Sequence, residues 1–369
     1  MNLKIGLVGL PNVGKSTIFN ALIQKAKAEV ANYPFCTIEP NHGMVSIPDE
    51  RLKIIAKKEK SAKVTPAFIE FVDIAGLVKG ASKGEGLGNQ FLSHIRNVSA
   101  IAQILRCFEK EDILHVEGTV NPVRDAEIVD LELILADIQT LEKRKEKTEK
   151  LAKTDKKAKE ELAIIEKALS FLQDLRPLRL LRDQFSQEEI TFLEKQLFLL
   201  TLKPMMYIAN LGEEDLLNPS KNPHFKALKE KAEKEGVPLI PLGGKFEAEL
   251  IGLTEEEREE FLKAYGLKEP GLNKMIREGF KLLNLITFFT ANKNEARAWT
   301  TKMGTTAKEA SGIIHSDFEK GFIGAEVISF EEYLQVESFH KARELGLLRL
   351  EGKDYLVQEG DLIYFKFNL

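Results

Sequence analysis

Short apolar runs alternate with helical patterns along the first two thirds of the chain. These runs favour β-strands and cover residues 5–8, 67–72, 101–105, 205–208 and 239–241. Because strands that alternate with helices form parallel sheets covered by helices, this order predicts a mostly parallel, doubly wound sheet. The chain is therefore predicted to contain an α/β domain with helices on both faces of its sheet.

A helical insertion, over about residues 125–196, lies between the third and fourth of these runs. Two groups of apolar residues recur there at helical spacing: Leu131, Ile134, Ile138 and Leu141, then Leu162, Ile165, Leu169 and Leu172. The middle, residues 142–167, is dense in Lys and Glu, which predicts two long antiparallel helices of coiled-coil character that project into solvent. Such an arm either binds a partner or is only a solvated hairpin, and the charge pattern alone favours neither.

The pattern changes again near residue 283. Helices are predicted at about residues 255–263 and 273–281, and short strands follow them. These strands are expected at residues 286–290, 325–328, 347–350, 355–357 and 362–367, separated by glycine-containing turns. The pattern predicts a small α+β domain over residues 283–367, with a domain boundary near residue 280.

The loop behind the first apolar run carries a nucleotide-binding motif. It reads Gly-Leu-Pro-Asn-Val-Gly-Lys-Ser from Gly9 to Ser16, which is Gly-x4-Gly-Lys-Ser. In this motif the backbone N–H groups curl round the phosphates, Lys15 neutralises the β and γ oxygens, and the Ser16 hydroxyl binds Mg²⁺. A helix predicted over about residues 15–27 points its positive end at the same phosphates. The order of strand, loop and helix favours a nucleoside triphosphate site over a chance match.

Two further segments fit a nucleotide switch. Asp73 and Gly76 follow the second apolar run in the order Asp-Ile-Ala-Gly, where the acidic residue holds Mg²⁺ through water and the glycine amide senses the γ-phosphate. The glycines that follow, at 80, 84, 86 and 88, favour a loop that reorders with the nucleotide over an ordinary flexible loop. Thr37 lies between the two motifs, and this position makes it a candidate second hydroxyl ligand of Mg²⁺ rather than only a surface residue.

The segment after the fourth run departs from the pattern that reads guanine. Many switch GTPases carry Asn-Lys-x-Asp there, whereas this chain reads Asn-Leu-Gly-Glu from Asn210 to Glu213. Leu211 replaces the lysine whose stem covers the base, and Glu213 carries its carboxylate one methylene further from the backbone. The sequence thus predicts weak guanine readout and little reason to reject ATP; the alternative is a solvent-facing Glu213 with Asn210 alone binding the base. Residues 243–245 read Gly-Gly-Lys in place of the usual Ser-Ala-Lys, so the sequence does not predict how this second base-side loop contacts the base.

The residue after Gly76 bears on hydrolysis. It is Leu77, where many switch GTPases carry the glutamine that orients the attacking water. Since leucine cannot orient water, another group or a cation must contribute. The candidates are His115 and Asn12, of which Asn12 would help to hold a monovalent ion such as K⁺ beside the phosphates. The default interpretation of His115 is a lone surface histidine.

Composition narrows the class of partner. The 369 residues contain 53 Lys and Arg against 57 Asp and Glu, a net charge of −4 that gives no global attraction to DNA or to an anionic membrane. Any contact with RNA is therefore expected to be local. No apolar stretch approaches the roughly 18 residues of a spanning helix, and the N-terminus has the pattern of a strand rather than a signal peptide. We expect a cytoplasmic enzyme without a membrane partner.

Four segments together resemble those of the YchF family of Obg-like ATPases. They are the phosphate loop, the Tyr-Pro-Phe-Cys-Thr-Ile-Glu-Pro-Asn stretch of residues 33–41, Asp-Ile-Ala-Gly-Leu at 73–77 and Asn-Leu-Gly-Glu at 210–213. The resemblance covers the whole chain and implies an OBG-type G domain over residues 1–280 and a ubiquitin-like TGS domain over 283–367. It also implies hydrolysis of ATP in preference to GTP, Mg²⁺ as cofactor, and association with the ribosome, in particular its large subunit, in translation or stress response.

The resemblance further implies a role for each matching residue. Six consecutive residues would hold the phosphates: Asn12, Val13, Gly14, Lys15, Ser16 and Thr17. The metal would be held by Ser16 and Thr37, and the base by Asn210 and Leu211; the motifs described above add Asp73 to the expected metal site and Glu213 to the expected base site. Lys15, Gly76 and His115 would assist hydrolysis, since His115 falls where the family carries a histidine proposed for that step. Two alternatives stay open, a GTPase of the same architecture and a nucleotide-dependent binding scaffold with negligible turnover.

Overall fold

The computed structural model describes residues 3–30, 41–75, 87–110 and 115–368 of the chain. The chain divides into two compact units. The first, here called the phosphate-loop unit, comprises Met1–Lys25, Ile38–Gly43 and Glu70–Met275. The second, here called the C-terminal unit, comprises Ala26–Thr37, Met44–Ile69 and Ile276–Leu369. The predicted limits of the two domains differ from this division, because they count residues 44–69 with the first domain.

The first sheet has six strands. They are β1 (Lys4–Val8), β2 (His42–Ser46), β4 (Phe68–Asp73), β5 (Ala100–Arg106), β6 (Met205–Asn210) and β7 (Leu239–Leu242), with the short β3 (Lys63–Thr65) lying in the other sheet. The order is β2-β4-β1-β5-β6-β7, and the pairs from β4 to β7 are parallel. The prediction of a mostly parallel α/β sheet is therefore confirmed. Strand β2 was missed, since its short stretch contains a glycine and no apolar run.

Helices separate these strands, as the sequence predicts. Along residues 15–282 they are α1 (Lys15–Val30), α2 (Glu50–Glu59), α3 (Leu87–Arg96), α4 (Pro122–Leu151), α5 (Lys156–Gln173), α6 (Gln187–Lys195), α7 (Glu213–Leu216), α8 (Pro223–Glu235), α9 (Gly244–Ile251), α10 (Glu255–Ala264) and α11 (Gly271–Leu282), with 3₁₀ helices at Leu178–Gln184 and Pro219–Lys221. Among the described residues, no helix is long and apolar enough to cross a membrane.

The predicted arm is a hairpin of α4 and α5. The N-cap of α4 is Asn121, whose side chain accepts a hydrogen bond from the N–H of Arg124. Pro122, the first residue of the helix, is suited to the first turn. The two helices share a core that contains Ile134, Leu141, Ile165, Leu169 and Leu172. The prediction of two packed helices therefore holds, although Leu131, assigned to the apolar face, is 40% exposed. Its neighbour Asp130 is buried instead, because it forms an ion pair with Arg179 at 2.7 Å.

The second sheet belongs to the C-terminal unit. Besides β3, its strands are β8 (Leu285–Ala291), β9 (Glu295–Lys302), β10 (Phe322–Ile328), β11 (Arg349–Glu351) and β12 (Leu362–Phe367), in the order β11-β10-β12-β8-β9-β3. Short helices connect them: α12 (Ala307–Ile314), α13 (Ser316–Lys320), α14 (Phe330–Leu334) and α15 (Phe339–Glu344). Capping boxes begin α12 and α14, where a Thr or Ser side chain and a Glu three residues later bond each other's backbone N–H. The predicted α+β character is confirmed.

One prediction about these strands was wrong, and one strand was missed. Residues 355–357 form no strand, and Leu356 makes only an isolated bridge to Thr306. Three apolar residues between turns are too few for periodicity to tell a strand from a packed loop. Strand β9 was missed although it pairs with β8 along its length, from Leu285 with Lys302 to Ala291 with Ala296. Its charged and polar residues hid the alternation that a strand with one buried face shows.

Helix α2 is built into the C-terminal unit. The ammonium of Lys58, in its last turn, donates to the backbone carbonyl oxygens of Tyr333, Leu334 and Val336 at 2.7 to 3.1 Å. The carboxylate of Glu59 accepts hydrogen bonds from the Tyr333 hydroxyl and the Phe339 N–H, both at 2.6 Å. Strand β3 then adds to the free edge of β9 in parallel register. These contacts are the physical reason why residues 44–69 group with the C-terminal unit.

Candidate functional site

The two motif glycines are required by the shape of the loop after β1. Gly14 has a φ of 92°, in the left-handed region, and a Cβ on it would lie 2.1 Å from Nδ2 of Asn210. Gly9 has a different reason, because a Cβ there would lie 2.8 Å from Cγ2 of Val13 and 3.0 Å from the carbonyl oxygen of Ile104. The loop therefore packs tightly against the ends of β5 and β6, and α1 begins directly after it at Lys15.

Lys15 and Asp73 meet at the ends of two neighbouring strands. Strand β1 pairs with β4, so the residues that follow β1 and the last residue of β4 lie at the same edge of the sheet. The ammonium of Lys15 donates a hydrogen bond to Oδ1 of Asp73, and the two side chains are 11% and 20% exposed. The structure thus brings together the motif lysine and the predicted metal-binding carboxylate, as the spacing of the two motifs requires.

A cavity of about 1140 Å³ adjoins the phosphate loop. Its lining includes most of the predicted phosphate and base residues, namely Asn12, Gly14, Lys15, Ser16, Thr17, Asn210, Leu211 and Glu213. Val13 does not line the cavity, because its side chain is buried. Its carbonyl oxygen accepts a hydrogen bond from the side chain of Asn210. Asp73 and His115 are not part of this lining. Thr37, Gly76 and Leu77 lie outside the described residues.

Asn210 joins the two ends of the cavity. Its buried side-chain amide donates to the carbonyl oxygen of Val13 at 2.9 Å and accepts the N–H of Gly244 at 2.9 Å. The amide is therefore engaged with backbone groups of the phosphate loop and of the first turn of α9. We predicted that this residue binds the base; in the structure it holds together the two loops between which a base would lie.

The Glu213 side chain lines the cavity, is 32% exposed and is paired with Lys245, so both interpretations of this residue from the sequence stay predictions. It is the first residue of α7, and its Oε1 lies 3.1 Å from the ammonium of Lys245 on α9. Lys245 also lies 3.6 Å from Oε1 of Glu249, and hydrogen bonding to Glu213, the largest cause, raises the pKa of Lys245. Leu211 is 3% exposed and its N–H donates to the carbonyl oxygen of Leu242.

The loop after β5 was missed as part of the site. Phe108, Glu109 and Lys110 line the cavity, because β5 lies between β1 and β6 and ends at the same edge. The guanidinium of the buried Arg106 lies 4.6 Å from the ring centroid of Phe108 and donates to the Phe108 carbonyl oxygen at 2.9 Å. The rule that ligands bind at the carboxyl ends of parallel strands was the signal that could have found this loop.

His115 is buried, so its interpretation as a surface histidine was wrong. Its Nε2 lies 2.7 Å from Oδ2 of Asp125, and its Nδ1 accepts the N–H of Glu117 at 3.1 Å. Because Nδ1 accepts, a neutral ring carries its proton on Nε2 and donates it to Asp125. Arg124 lies 3.0 Å from the other carboxylate oxygen of Asp125. The segment after β5 holds His115 in this network by tertiary contacts that no local pattern revealed.

The predicted Mg²⁺ ligands include no cluster of acidic or histidine side chains in the part of the chain that the structure describes. Within the described ranges, no group of three or more His, Cys, Asp or Glu side chains could hold a metal ion. The predicted Mg²⁺ ligands are a hydroxyl, Ser16, and a carboxylate, Asp73, together with Thr37 outside those ranges. Phosphate oxygens and waters commonly complete a Mg²⁺ shell in nucleotide sites, so a site with few protein ligands is consistent with that chemistry.

Two family models match separate parts of the chain, and relatives match its whole length. A family model described as a 50S ribosome-binding GTPase matches residues 4–132, and the model for the C-terminal region of YchF GTPases, described as a protein of unknown function, matches residues 285–368. Proteins named ribosome-binding ATPase YchF are 52% identical in Escherichia coli O157:H7 and 49% identical in Bacillus subtilis strain 168, over 370 residues that cover 100% of both chains.

A solved structure shows the same similarity in three dimensions. The Schizosaccharomyces pombe YchF GTPase matches with a TM-score of 0.89 and 40% sequence identity, and the match covers 99% of this chain and 98% of that one. The similarity therefore extends over the phosphate loop, the helical arm and the C-terminal sheet alike. On sequence and structure together, the chain belongs to the YchF family.

Proposed function

We propose that the chain is an ATPase that hydrolyses ATP to ADP and phosphate with Mg²⁺ and associates with ribosomes in translation or stress regulation. The observation that carries this proposal is one cavity lined both by the phosphate loop and by residues 210–213, with Asn210 bonded to both sides. Phosphate-binding backbone at one end and a base-binding segment at the other is the form a nucleoside triphosphate requires. The names of the full-length relatives support the same activity.

Lys15 and Asp73 are the residues whose partners would change when a triphosphate binds. The ammonium of Lys15 bonds Asp73 in the structure, and a γ-phosphate offers it acceptor oxygens of higher charge. Transfer of Lys15 to the phosphate frees the Asp73 carboxylate to face the metal shell. The backbone N–H groups of residues 12–17 then fix the phosphates, so catalysis is mainly positioning and charge stabilisation.

The donor types beside the loop fit Mg²⁺. A hydroxyl from Ser16 and a carboxylate from Asp73 are hard oxygen ligands, which this ion prefers. The contact between Lys15 and Asp73 supports the fit, because it brings that carboxylate to the first residue of α1, next to Ser16. When bound, Mg²⁺ neutralises charge on the β- and γ-phosphates. Thr37 is proposed as the second hydroxyl ligand, and Asn12 as a residue that helps to hold an activating K⁺.

Hydrolysis needs a group that orients water, and His115 is the proposed one. The sequence offers Leu77 where a glutamine is common, and Gly76 is proposed to sense the γ-phosphate through its amide. His115 is bonded to Asp125 and does not line the cavity, so it has to leave Asp125 to act there. Turnover in the absence of an activating partner is accordingly expected to be slow.

Preference for ATP over GTP is proposed from the base end. Guanine is usually selected by a carboxylate that accepts its N1–H and its N2 amino group. Here the carboxylate is that of Glu213, one methylene longer than aspartate and already paired with Lys245. The alternative with a specific observation in its favour is a GTPase of the same architecture, since Glu213 still lines the cavity.

Ribosome association is proposed from the relatives and from local charge. One matching family model is described as a 50S ribosome-binding GTPase, which supports the large subunit as partner. The arm of α4 and α5 is rich in Lys and Glu, and the net charge of −4 restricts contact with RNA to such local surfaces. A cytoplasmic location, a G domain over residues 1–280 and a TGS domain over residues 283–367 complete the proposal.

The test combines calorimetry, turnover and co-sedimentation of the full chain. We expect ATP to bind more tightly than GTP in Mg²⁺ and K⁺ buffer, by about tenfold or ~1.4 kcal/mol. Phosphate release is expected to increase with ribosomes and to fall at least a hundredfold in Lys15→Met, with Lys229→Met on α8 as the matched surface control. Tighter binding of GTP would establish the GTPase alternative, and undetectable turnover with ribosomes would leave a binding scaffold.

A further inference from the structure

Lys245 occupies an unusual place at the base end of the cavity. It is the second residue of α9 and lines the cavity together with Glu213 and Glu214. Its ammonium lies 3.1 Å from Glu213 and 3.6 Å from Glu249. The ammonium of Lys245, whose side chain is 77% exposed, thus pairs with acidic side chains at the point where the edge of a purine base would be read.

The backbone beneath Lys245 is held in place by a site residue. The N–H of Gly244, the residue before it, donates to Oδ1 of Asn210 at 2.9 Å. Nδ2 of the same Asn210 side chain donates to the Val13 carbonyl oxygen in the phosphate loop. Gly244 also packs closely, since a Cβ on it would lie 3.0 Å from Cγ1 of Ile18 in α1. The first turn of α9 is therefore fixed relative to Asn210, which keeps the Lys245 side chain within reach of Glu213.

The two purines differ in what they present to a carboxylate. Guanine offers two donors, N1–H and the N2 amino group, whereas adenine presents an unprotonated N1 that accepts. A carboxylate without a cation at this place attracts guanine and repels the N1 of adenine. A carboxylate that is paired with an ammonium has lost part of its charge and one acceptor position, so both effects become smaller.

We propose that Lys245 is a specificity-determining residue that disfavours guanine by pairing with Glu213. Lys245 acts through Glu213 and not by touching the base, so it is a positioning residue for base selection. This inference rests on the proposed function in one respect, that the cavity takes a purine nucleoside triphosphate. It does not require that the native chain prefers ATP, because it concerns the direction in which Lys245 moves the ratio of the two affinities.

The test is calorimetric binding of ATP and GTP to the full chain and to Lys245→Met. We expect the ratio of GTP affinity to ATP affinity to rise about threefold, a size typical of a pair with one largely exposed partner. The conservative variant Lys245→Arg should keep the native ratio. Lys229→Met is the matched control, since Lys229 forms an exposed pair with Glu233 on α8 and does not line the cavity.

Two further measurements separate this role from a structural one. In the double variant with Glu213→Gln, the gain in GTP affinity should disappear, because the carboxylate that Lys245 masks is gone. Higher ionic strength should raise the native ratio toward that of Lys245→Met and leave the ratio of the variant nearly unchanged. General damage to the cavity would instead weaken both nucleotides and keep the ratio.

The opposite results are equally clear. A fall in relative GTP affinity in Lys245→Met would mean that the ammonium binds O6 or N7 of guanine directly, and an unchanged ratio would mean that Lys245 plays no part in selection; both overturn the inference. Failure of the proposed function would give a different result. The native chain would then bind neither nucleotide, or it would bind GTP more tightly than ATP while Lys245→Met still raised the ratio of GTP affinity to ATP affinity.

Discussion

The proposed phosphate end and the proposed base end of the cavity are built by different means. At the phosphate end, consecutive residues supply backbone N–H groups, and Gly14 is required by its φ of 92°. At the base end, the groups come from separate elements, such as Asn210 at the end of β6, Glu213 on α7 and Lys245 on α9. A site made by one continuous loop is fixed by local sequence, whereas a site assembled from side chains of several elements depends on packing between them.

The largest expected effect is at the phosphate end. Gly14→Ala should lower the free energy of unfolding by ~4 kcal/mol and abolish measurable ATP binding, because the new Cβ combines a strained φ with a clash against Asn210. Chemical denaturation and calorimetry measure the two effects. Gly236→Ala is the control, since Gly236 also has a positive φ, 65°, but nothing lies within 4 Å of its added Cβ. Equal losses in both variants would refute the role of the clash.

At the base end, a buried carboxylate on α9 should make stability depend on pH. Glu247 is 2% exposed and accepts the N–H of Gly271 at 2.6 Å. Burial raises its pKa from 4.5 to about 7, although the hydrogen bonds that it accepts from backbone N–H groups lower the pKa. Because the folded state holds this proton more tightly than the unfolded chain, the resulting stabilisation is complete below pH 4.5 and is lost as the pH rises to about 7.

Glu247→Gln tests this dependence. Between pH 4.5 and pH 7 the native chain should lose roughly 3 kcal/mol of unfolding free energy relative to the variant, as followed by chemical denaturation at each pH. Glu249→Gln, on the same helix but 45% exposed in its side chain, is the control and should run parallel to the native chain. Parallel curves for Glu247→Gln as well would show that this carboxyl stays ionised in the folded protein.

The smallest of these three effects should come from the link between the two ends. Asn210→Ala leaves the Val13 carbonyl and the Gly244 N–H without their partner, so we expect a loss of ~2 kcal/mol in stability and about tenfold in ATP affinity. Asn222→Ala is the control, because Asn222 is also buried and bridges the Cys107 carbonyl and the Phe225 N–H without lining the cavity. It should lose stability but keep ATP affinity within about threefold. A similar affinity loss in both would show that Asn210 matters only for folding.

The contrast between a continuous loop and a site assembled from several elements explains which parts of the fold and of the site could be predicted from the sequence. The phosphate loop and the parallel sheet followed from local signals, a fixed motif and the alternation of strands with helices. The pairing of Glu213 with Lys245 did not, because the partners are separated by 32 residues and meet only when α7 and α9 pack. His115 was misjudged for the same reason, since its burial depends on Asp125 in the first turn of α4. Side-chain partners that come from different elements leave no periodic trace in the sequence.

Helix α2 and strand β3 also decide what can be exchanged or expressed separately. A gene fragment that encodes residues 283–369 alone would omit both, although Arg51 of α2 lies 5.2 Å from the ring centroid of Phe289 and β3 covers one edge of β9. The isolated fragment would therefore expose an aromatic face and an unpaired strand edge, which are known causes of aggregation. A chimera between relatives has to transfer residues 44–69 together with residues 276–369, because the segments of the C-terminal unit are not contiguous in the gene.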